Sequence, residues 1–143
     1  MSRFEYPVRL TRAKEGGFVV SCRDLPEAIT QGDSREDALA QAMDALDEAF
    51  AARMKAGEDF PVPSAARRGE VLAAPPAESV AKAALYVAMR EANVSKVEMA
   101  ARLGVDEKEV RRLLDPHHPS KLPRIAQAIE LLGKRLVIEL RAN

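Results

Sequence analysis

The chain has 143 residues, of which 47% are hydrophobic and 31% are charged, a balance typical of one or two small folded domains. No stretch approaches the roughly 18 consecutive apolar residues that a membrane-spanning helix requires, and the N-terminal segment lacks the apolar core of a signal peptide. We therefore expect a cytoplasmic protein that does not insert into a membrane. The single cysteine excludes an intrachain disulfide.

The charges are distributed unevenly although the formal net charge is zero. Residues 1–63 contain 8 Lys or Arg and 12 Asp or Glu, a net charge of −4, whereas residues 64–143 contain 14 and 10, a net charge of +4. An acidic half joined to a basic half predicts two functions and two partners of opposite charge. The alternative is that the two surfaces differ in charge without functional consequence.

Residues 1–32 predict three β-strands. Apolar and charged residues alternate over residues 3–10, which indicates a half-buried strand. Pro7 within it favours an edge position or a bulge, because proline cannot donate a ladder hydrogen bond. Residues 14–17, "KEGG", predict the turn of a hairpin whose return strand is residues 18–22. After a break at "RDLPE", residues 28–32 predict the third strand.

A long amphipathic helix is predicted directly after the third strand. Ser34 and Asp37 have the spacing of a capping box, in which the hydroxyl accepts from the Asp37 amide and the carboxylate accepts from the Ser34 amide. Apolar residues then recur at spacings of three and four and share one helical face; they are Leu39, Ala42, Met43, Leu46, Ala49, Phe50 and Met54. Gly57 ends the helix. The helix is expected to cover the sheet and to expose an acidic side.

The second half of the chain predicts a different architecture. After the non-helical segment "FPVPS" (60–64), residues 70–73 predict a fourth strand, and the following pair of prolines marks a domain boundary. We therefore expect domains over residues 1–73 and 78–143, with a linker over residues 74–77. The hydrophobic period then changes from about 2 to about 3.6 residues, which predicts helices over about 78–92, 95–103, 106–114 and 122–132. Residues 135–140, "RLVIEL", predict a final strand.

Residues 96–115 have the pattern of a helix-turn-helix. This motif needs a small residue where its helices cross and a glycine in the left-handed turn, and Ala100 and Gly104 occupy these positions. Ser95 and Asp106 stand where the two helices need N-caps. Apolar anchors fill the expected places on both sides of the turn; they are Met99, Leu103, Val105, Val110 and Leu113.

The charged residues around this motif indicate a nucleic-acid partner. Arginine on a helix can bind guanine through two hydrogen bonds in the major groove, and lysine at a helix start suits phosphate. We therefore predict binding to double-stranded DNA through Lys96, Glu107, Lys108, Arg111, Arg112 and Lys121. A helical bundle that binds protein would use the same apolar anchors and is the alternative.

Neither a catalytic site nor a metal site is predicted. The adjacent His117 and His118 lie on a loop without a cysteine, whereas a zinc site needs three or four converging ligands. Asp24 and Asp33 lie near strand ends but have no evident further acid on neighbouring strands. The chain also lacks a glycine-rich phosphate loop and a G-x-S-x-G elbow. We therefore expect a protein that is not an enzyme and has no cofactor.

Two parts of the sequence, taken together in this order, resemble one family. The stretches "YPVRL", "GGFVVSCRDLPEAITQGDSREDALAQAMDAL" and "FPVPS" resemble the N-terminal domain of the HicB-type antitoxins. Residues 82–140 look like the helix-turn-helix domain found in one branch of that family. One departure is Glu27, which stands where the family often has glycine.

The resemblance implies an α+β fold with two parts. Residues 1–73 would form a partial ribonuclease-H-like β-β-β-α-β domain without the nuclease carboxylates, and an all-α helix-turn-helix domain with a C-terminal strand would follow. The resemblance also implies an antitoxin that covers a small, basic, mRNA-cleaving HicA-type toxin and represses their shared operon as a dimer or higher oligomer. The expected toxin contacts are acidic residues of the first domain; they are Asp24, Asp33, Asp44, Asp47 and Glu48.

The final strand predicts how the chain forms a dimer. A helix-turn-helix protein that binds a palindrome must present two recognition helices. The apolar strand over residues 135–140 has no obvious partner in its own domain, so we expect it to pair with a second copy. The predicted dimer contacts are Leu136, Ile138 and Leu140. Alternatively, this segment packs on its own N-terminal domain or extends the last helix.

Two other functions stay open on the sequence alone. One is a free-standing transcription regulator whose N-terminal domain senses a small ligand. The other is an adaptor that binds protein through both domains.

Overall fold

The computed structural model describes residues 2–142, and the chain forms two compact units that divide after Val80. The first unit contains β1 (Tyr6–Arg12), β2 (Phe18–Ser21), β3 (Thr30–Gly32), α1 (Arg35–Ala56) and β4 (Glu70–Ala73). The division falls within α2 (Ala77–Ala92), and the second unit continues with α3 (Lys96–Leu103), α4 (Glu107–Leu113) and α5 (Leu122–Glu130). This content agrees with the predicted α+β class; the ribonuclease-H likeness stays a prediction.

The first unit is built on an antiparallel sheet with strand order β3-β2-β1-β4. β1 is therefore an interior strand, but Pro7 lies beyond the ladder to β2, so the expected edge position holds at this residue although β1 as a whole is not an edge strand. The ladder from β1 to β2 begins only at Arg9, which pairs with Ser21, whereas Pro7 pairs with Leu72 of β4. Proline is tolerated at this position because the ladder there runs to one neighbouring strand rather than to two.

α1 follows β3 closely because Gly32 allows the two backbones to meet. A Cβ atom added at Gly32 would overlap the backbone of Ala38, so any side chain there would force β3 and α1 apart. Ser34 caps α1 as predicted, since its hydroxyl accepts from Asp37 N at 3.0 Å. The Asp37 carboxylate accepts from Asp33 N at 2.9 Å and not, as predicted, from Ser34 N.

An aromatic cluster forms the core of the first unit. The ring of Phe50 on α1 lies 5.9 Å from that of Tyr6 and 4.7 Å from that of Phe60, between centroids. Most of the predicted apolar face of α1 is buried, but Met43 is 44% exposed and Ala38 is buried in addition. Burial raises the pKa of Tyr6 to about 12, so its hydroxyl remains a hydrogen-bond donor at neutral pH.

The segment of residues 60–64 is held by side chains instead of a neighbouring strand. Tyr6 Oη donates to Pro61 O at 2.7 Å, and the Arg3 guanidinium donates to the same carbonyl at 3.1 Å. Asp24 accepts from Ser64 N at 2.8 Å and from Ser64 Oγ at 2.7 Å. Prolines in this segment lack amide hydrogens and could not continue a ladder, so these side chains fix its position.

Two ion pairs connect the segment after β2 to α1 and to β4. The Glu27 carboxylate pairs with Arg53 of α1 at 2.5 Å, which lowers the pKa of Glu27. Among the described non-glycine residues, Asn93 alone has a positive φ. Glu27 therefore has a negative φ, and its position does not require the glycine that the family often has there. Arg23 pairs with Glu70 of β4 at 3.0 Å, and this guanidinium lowers the pKa of Glu70 to about 2.

The second unit contains the helices that the sequence predicts. α3 and α4 each begin and end within one residue of their predicted bounds, and α5 ends two residues early. Over residues 2–142, no helix is both long enough and apolar enough to cross a membrane.

A buried lysine connects α2 to the end of α4. The Lys82 side chain is wholly buried. Its Nζ lies 2.8 Å from each of Arg112 O, Asp115 O and Ser120 Oγ and 2.5 Å from His118 O, so its three N–H groups are shared among four acceptors. The last carbonyls of a helix have no intrahelical partners, and a cation there is favourable. Because a buried ammonium group needs such acceptors, Lys82 fixes the C-terminal end of α4 and the loop after it.

Residues 135–140 do not form the predicted C-terminal strand in the single chain. A strand is defined by ladder hydrogen bonds to a neighbour, and all the strands of the described residues belong to the first unit. The strand prediction is therefore wrong for the isolated chain, and its pairing with a second copy stays a prediction.

We expect Lys82→Met to lower the free energy of unfolding by about 3 kcal/mol or more, because buried carbonyl oxygens would lose a charged donor. Urea unfolding followed by circular dichroism measures this loss. The control is Lys108→Met, since Lys108 is exposed on α4 and its replacement should change stability by less than about 0.5 kcal/mol. Equal stability of the wild type and Lys82→Met would contradict the assigned role.

Candidate functional site

α3 and α4 pack as a helix pair around a tight turn. Gly104 adopts φ 70° in the left-handed region, and Val105 N donates to Ala100 O at 3.0 Å. Ala100 is 5% exposed, and Met99 and Val110 are fully buried. A small residue and a turn glycine allow the helices to approach each other. These positions have the burial and the conformation that the sequence pattern predicts.

Both helices of the pair begin at side-chain caps. Ser95 Oγ accepts from Glu98 N at 3.1 Å, and Asp106 Oδ1 accepts from Glu109 N at 2.9 Å. These bonds satisfy amides that would otherwise lack partners in the first turn. The Glu98 carboxylate accepts from Arg102 at 3.1 Å.

The predicted DNA-binding residues lie at the surface of the second unit. α4 brings four of them together, Lys96 begins α3, and Lys121 precedes α5. Glu107 is partly exposed and the others are exposed; they are Lys96, Lys108, Arg111, Arg112 and Lys121. The structure therefore brings four of the six predicted residues together on one short helix.

The two arginines of α4 are each paired with a glutamate of the same helix. Arg111 Nη1 lies 3.2 Å from Glu107 Oε1, and Arg112 Nη1 lies 3.6 Å from Glu109 Oε1. The Arg111 and Glu107 side chains are 56% and 43% exposed. Exposed pairs of this kind contribute only about 0.3–0.5 kcal/mol, so a ligand can displace them. Glu109 was not among the predicted site residues, although its spacing of three from Arg112 could have indicated this contact.

The predicted toxin contacts occupy different surroundings in the first unit. Asp44 and Glu48 are exposed on α1, one turn apart, and Asp33 is exposed just before this helix. One carboxylate oxygen of Asp47 is buried and has no hydrogen-bond partner among residues 2–142. Asp24 differs from the others, because its side chain is 12% exposed and accepts the two hydrogen bonds from Ser64 described above.

The C-terminal segment exposes the predicted dimer contacts. Ile138 is 74% exposed and Leu140 is 98% exposed, and Val137 between the predicted positions is 70% exposed. Leu136 is partly buried. A short run of such exposed apolar residues is typical of an interaction surface.

The two histidines belong to the loop that Lys82 fixes. The backbone carbonyl of His118 accepts from Lys82, and His117 N donates to Asp115 Oδ1 at 2.9 Å. Within the described part of the chain, no group of three or more His, Cys, Asp or Glu side chains could hold a metal ion.

Comparison with known proteins shows similarity along nearly the whole chain. A family model described as the HicB_like antitoxin of bacterial toxin-antitoxin systems matches residues 5–84. The chain is 34% identical over 140 residues to Antitoxin HicB 1 of Photorhabdus laumondii subsp. laumondii, across 98% of this chain and 89% of that protein. It is 37% identical over 131 residues to Antitoxin HicB of Escherichia coli strain K12, across 92% and 95%. It is 33% identical over 140 residues to Antitoxin HicB of Pseudomonas fluorescens strain Pf0-1, across 97% and 95%.

Proposed function

The chain belongs to the HicB-like antitoxin family, and from this membership we propose that it neutralises a HicA-type toxin and represses its own operon. This membership confirms the family resemblance inferred from the sequence. The family consists of antitoxins, which are regulatory proteins and not enzymes. The first unit would bind the toxin, and the second would bind operator DNA. Both tasks place the protein in the cytoplasm.

The exposed basic residues of α4 carry the proposal of DNA binding. Lys108, Arg111 and Arg112 lie at the surface of a helix that follows a tight turn. In DNA-binding helix pairs of this kind, the second helix enters the major groove and the first crosses the phosphate backbone. Arg111 and Arg112 would contact base edges, and Lys96 and Lys121 would contact phosphates.

The acidic side of α1 supports the proposal of toxin binding. Asp44 and Glu48 present exposed carboxylates, which would attract the basic toxin that the family resemblance implies and accelerate its association. Asp47 would contribute less to this attraction, because one of its carboxylate oxygens is buried within the first unit. Asp24 would contribute through the position of residues 60–64, since its carboxylate is engaged by Ser64.

The exposed C-terminal segment supports a homo-oligomer. An operator palindrome presents two half-sites about 34 Å apart, and each chain supplies one α3–α4 pair. Pairing of residues 135–140 with a second copy would complete a β-ladder and bury Ile138 and Leu140 together.

We expect Arg111→Ala with Arg112→Ala to weaken binding to DNA from upstream of the gene by about 30-fold or more, because each bidentate base contact contributes about 1–3 kcal/mol. A gel shift measures affinity, and rescue of growth from the co-expressed toxin should be unchanged. Arg102→Ala with Arg124→Ala removes the same charge from other helices of the unit and should have a much smaller effect. An equal loss in both double variants would contradict the assignment to α4.

We expect Asp44→Asn with Glu48→Gln to slow association with the toxin encoded beside the gene by several-fold at low salt. The difference should shrink as ionic strength rises, because charges are screened over about 10 Å at 0.1 M salt. Stopped-flow mixing measures the rate constant. Glu15→Gln with Glu58→Gln is the control, since these exposed acids lie outside α1. If the control slowed association equally, net charge and not this face of α1 would be responsible.

Deletion of residues 135–143 should give a monomer that still neutralises the toxin and binds operator DNA far more weakly, because its recognition helices are no longer held as a pair. Light scattering measures the mass. Deletion of residues 141–143 alone leaves the apolar positions in place and should preserve the oligomer. A shorter chain that remained dimeric without residues 135–143 would place the interface elsewhere.

A further inference from the structure

Glu107 is the first residue of α4, where its carboxylate suits the positive end of the helix dipole and also pairs with an arginine of the same helix. The N-cap of α4 is Asp106, so Glu107 is not needed to cap the helix. Its carboxylate lies 3.2 Å from Arg111, one turn later, and both side chains are about half exposed. An acid at the start of a helix that approaches phosphates would oppose binding in general.

We propose that Glu107 is a specificity-determining residue of the operator interface, a role that rests on the proposed DNA binding. Away from the operator, the Glu107 carboxylate pairs with Arg111 and keeps its guanidinium from phosphates. At a guanine of the operator, the guanidinium leaves this pair and binds the base. Glu107 then accepts a hydrogen bond from the amino group of a cytosine. Both contacts are geometrically favourable in the major groove, since guanine offers O6 and N7 to arginine and cytosine offers N4 to glutamate.

The energetics favour discrimination over tight binding. The pair is exposed to solvent, so exchange of its partners for base edges costs little. On DNA without the matching bases, Arg111 would have to contact a phosphate and leave Glu107 unpaired beside the phosphate backbone. This repulsion weakens binding to random sequence more than binding to the operator.

A second pair in the same unit provides a matched control. Glu98 and Arg102 on α3 have the same spacing of four residues, a distance of 3.1 Å and side chains that are 50% and 41% exposed. α3 is the helix expected to cross the backbone and not to contact base edges. Glu98→Gln therefore removes the same charge from an equivalent pair without removing a base contact.

The test compares the wild type, Glu107→Gln and Glu98→Gln as full-length chains on a pool of randomised duplexes, with the bound fraction sequenced. The wild type should enrich a motif that contains G·C pairs. Glu107→Gln should lose the cytosine preference at one position of each half-site, since glutamine favours adenine there, and should bind random duplex about fivefold more tightly or better. Its affinity for random duplex should also depend more steeply on salt, by about 0.9 in the logarithmic slope for one added phosphate contact. Glu98→Gln should enrich the wild-type motif.

Two outcomes would overturn the role of Glu107 and leave DNA binding intact. One is a Glu107→Gln chain that enriches the wild-type motif with unchanged selectivity. The other is a Glu98→Gln chain with the same loss of selectivity as Glu107→Gln, which would make the effect one of net charge. Absence of any enriched sequence with the wild type would overturn the operator proposal and this inference together. Thermal unfolding of each variant verifies that the helix pair is folded.

Discussion

The Lys82 ammonium group, buried within the second unit, constrains the helix that carries the proposed DNA-binding residues. Its four acceptors belong to the end of α4 and to the loop that follows. α4 has only seven residues, and an isolated helix of this length is not stable in water. Its start is fixed by the Asp106 cap and its end by Lys82. The exposed side chains between these two points therefore project from a defined backbone.

The first unit uses side-chain groups in a comparable way. Residues 60–64 have prolines in place of ladder donors, and Arg3, Tyr6 and Asp24 supply the hydrogen bonds that keep this segment in place.

The acidic residues of the first unit are of two kinds. Asp24 is engaged inside the unit, whereas Asp44 and Glu48 remain at the surface. Net charge alone does not distinguish them, although only the exposed acids can attract a partner over a distance.

Opposite net charges in the two halves agree with two partners, but local pairs modify this simple picture. The basic half presents its arginines on α4 beside glutamates of the same helix. The field of such a surface is weaker than its arginine content indicates, so under the proposed DNA binding it would hold random DNA less tightly. A repressor must distinguish its operator from a large excess of other sites, and paired charges favour this selectivity over maximal affinity.

The sequence by itself determined the elements that depend on neighbours within about four residues. The caps at Ser34, Ser95 and Asp106, the turn at Gly104 and the spacing of apolar residues specify where helices begin, end and bury a face. The pairs of Arg111 with Glu107 and of Arg112 with Glu109 are also local, and spacing alone could have indicated them. The family could be recognised for a related reason, since its motifs are short local segments, one of which contains the Ser34 cap.

Only the tertiary structure decided which partners distant residues meet. Lys82 reaches Arg112 across 30 positions and Asp24 reaches Ser64 across 40, and no local rule selects these acceptors. The helical period does place Lys82 on the buried side of α2 with Leu85 and Met89, but it does not say what receives the charge. Pro7 likewise is tolerated in an interior strand because the ladder to β2 does not extend to it. Residues 135–140 lack a ladder partner in the single chain for the same reason: strand pairing depends on what lies alongside, and periodicity records only the faces of a segment.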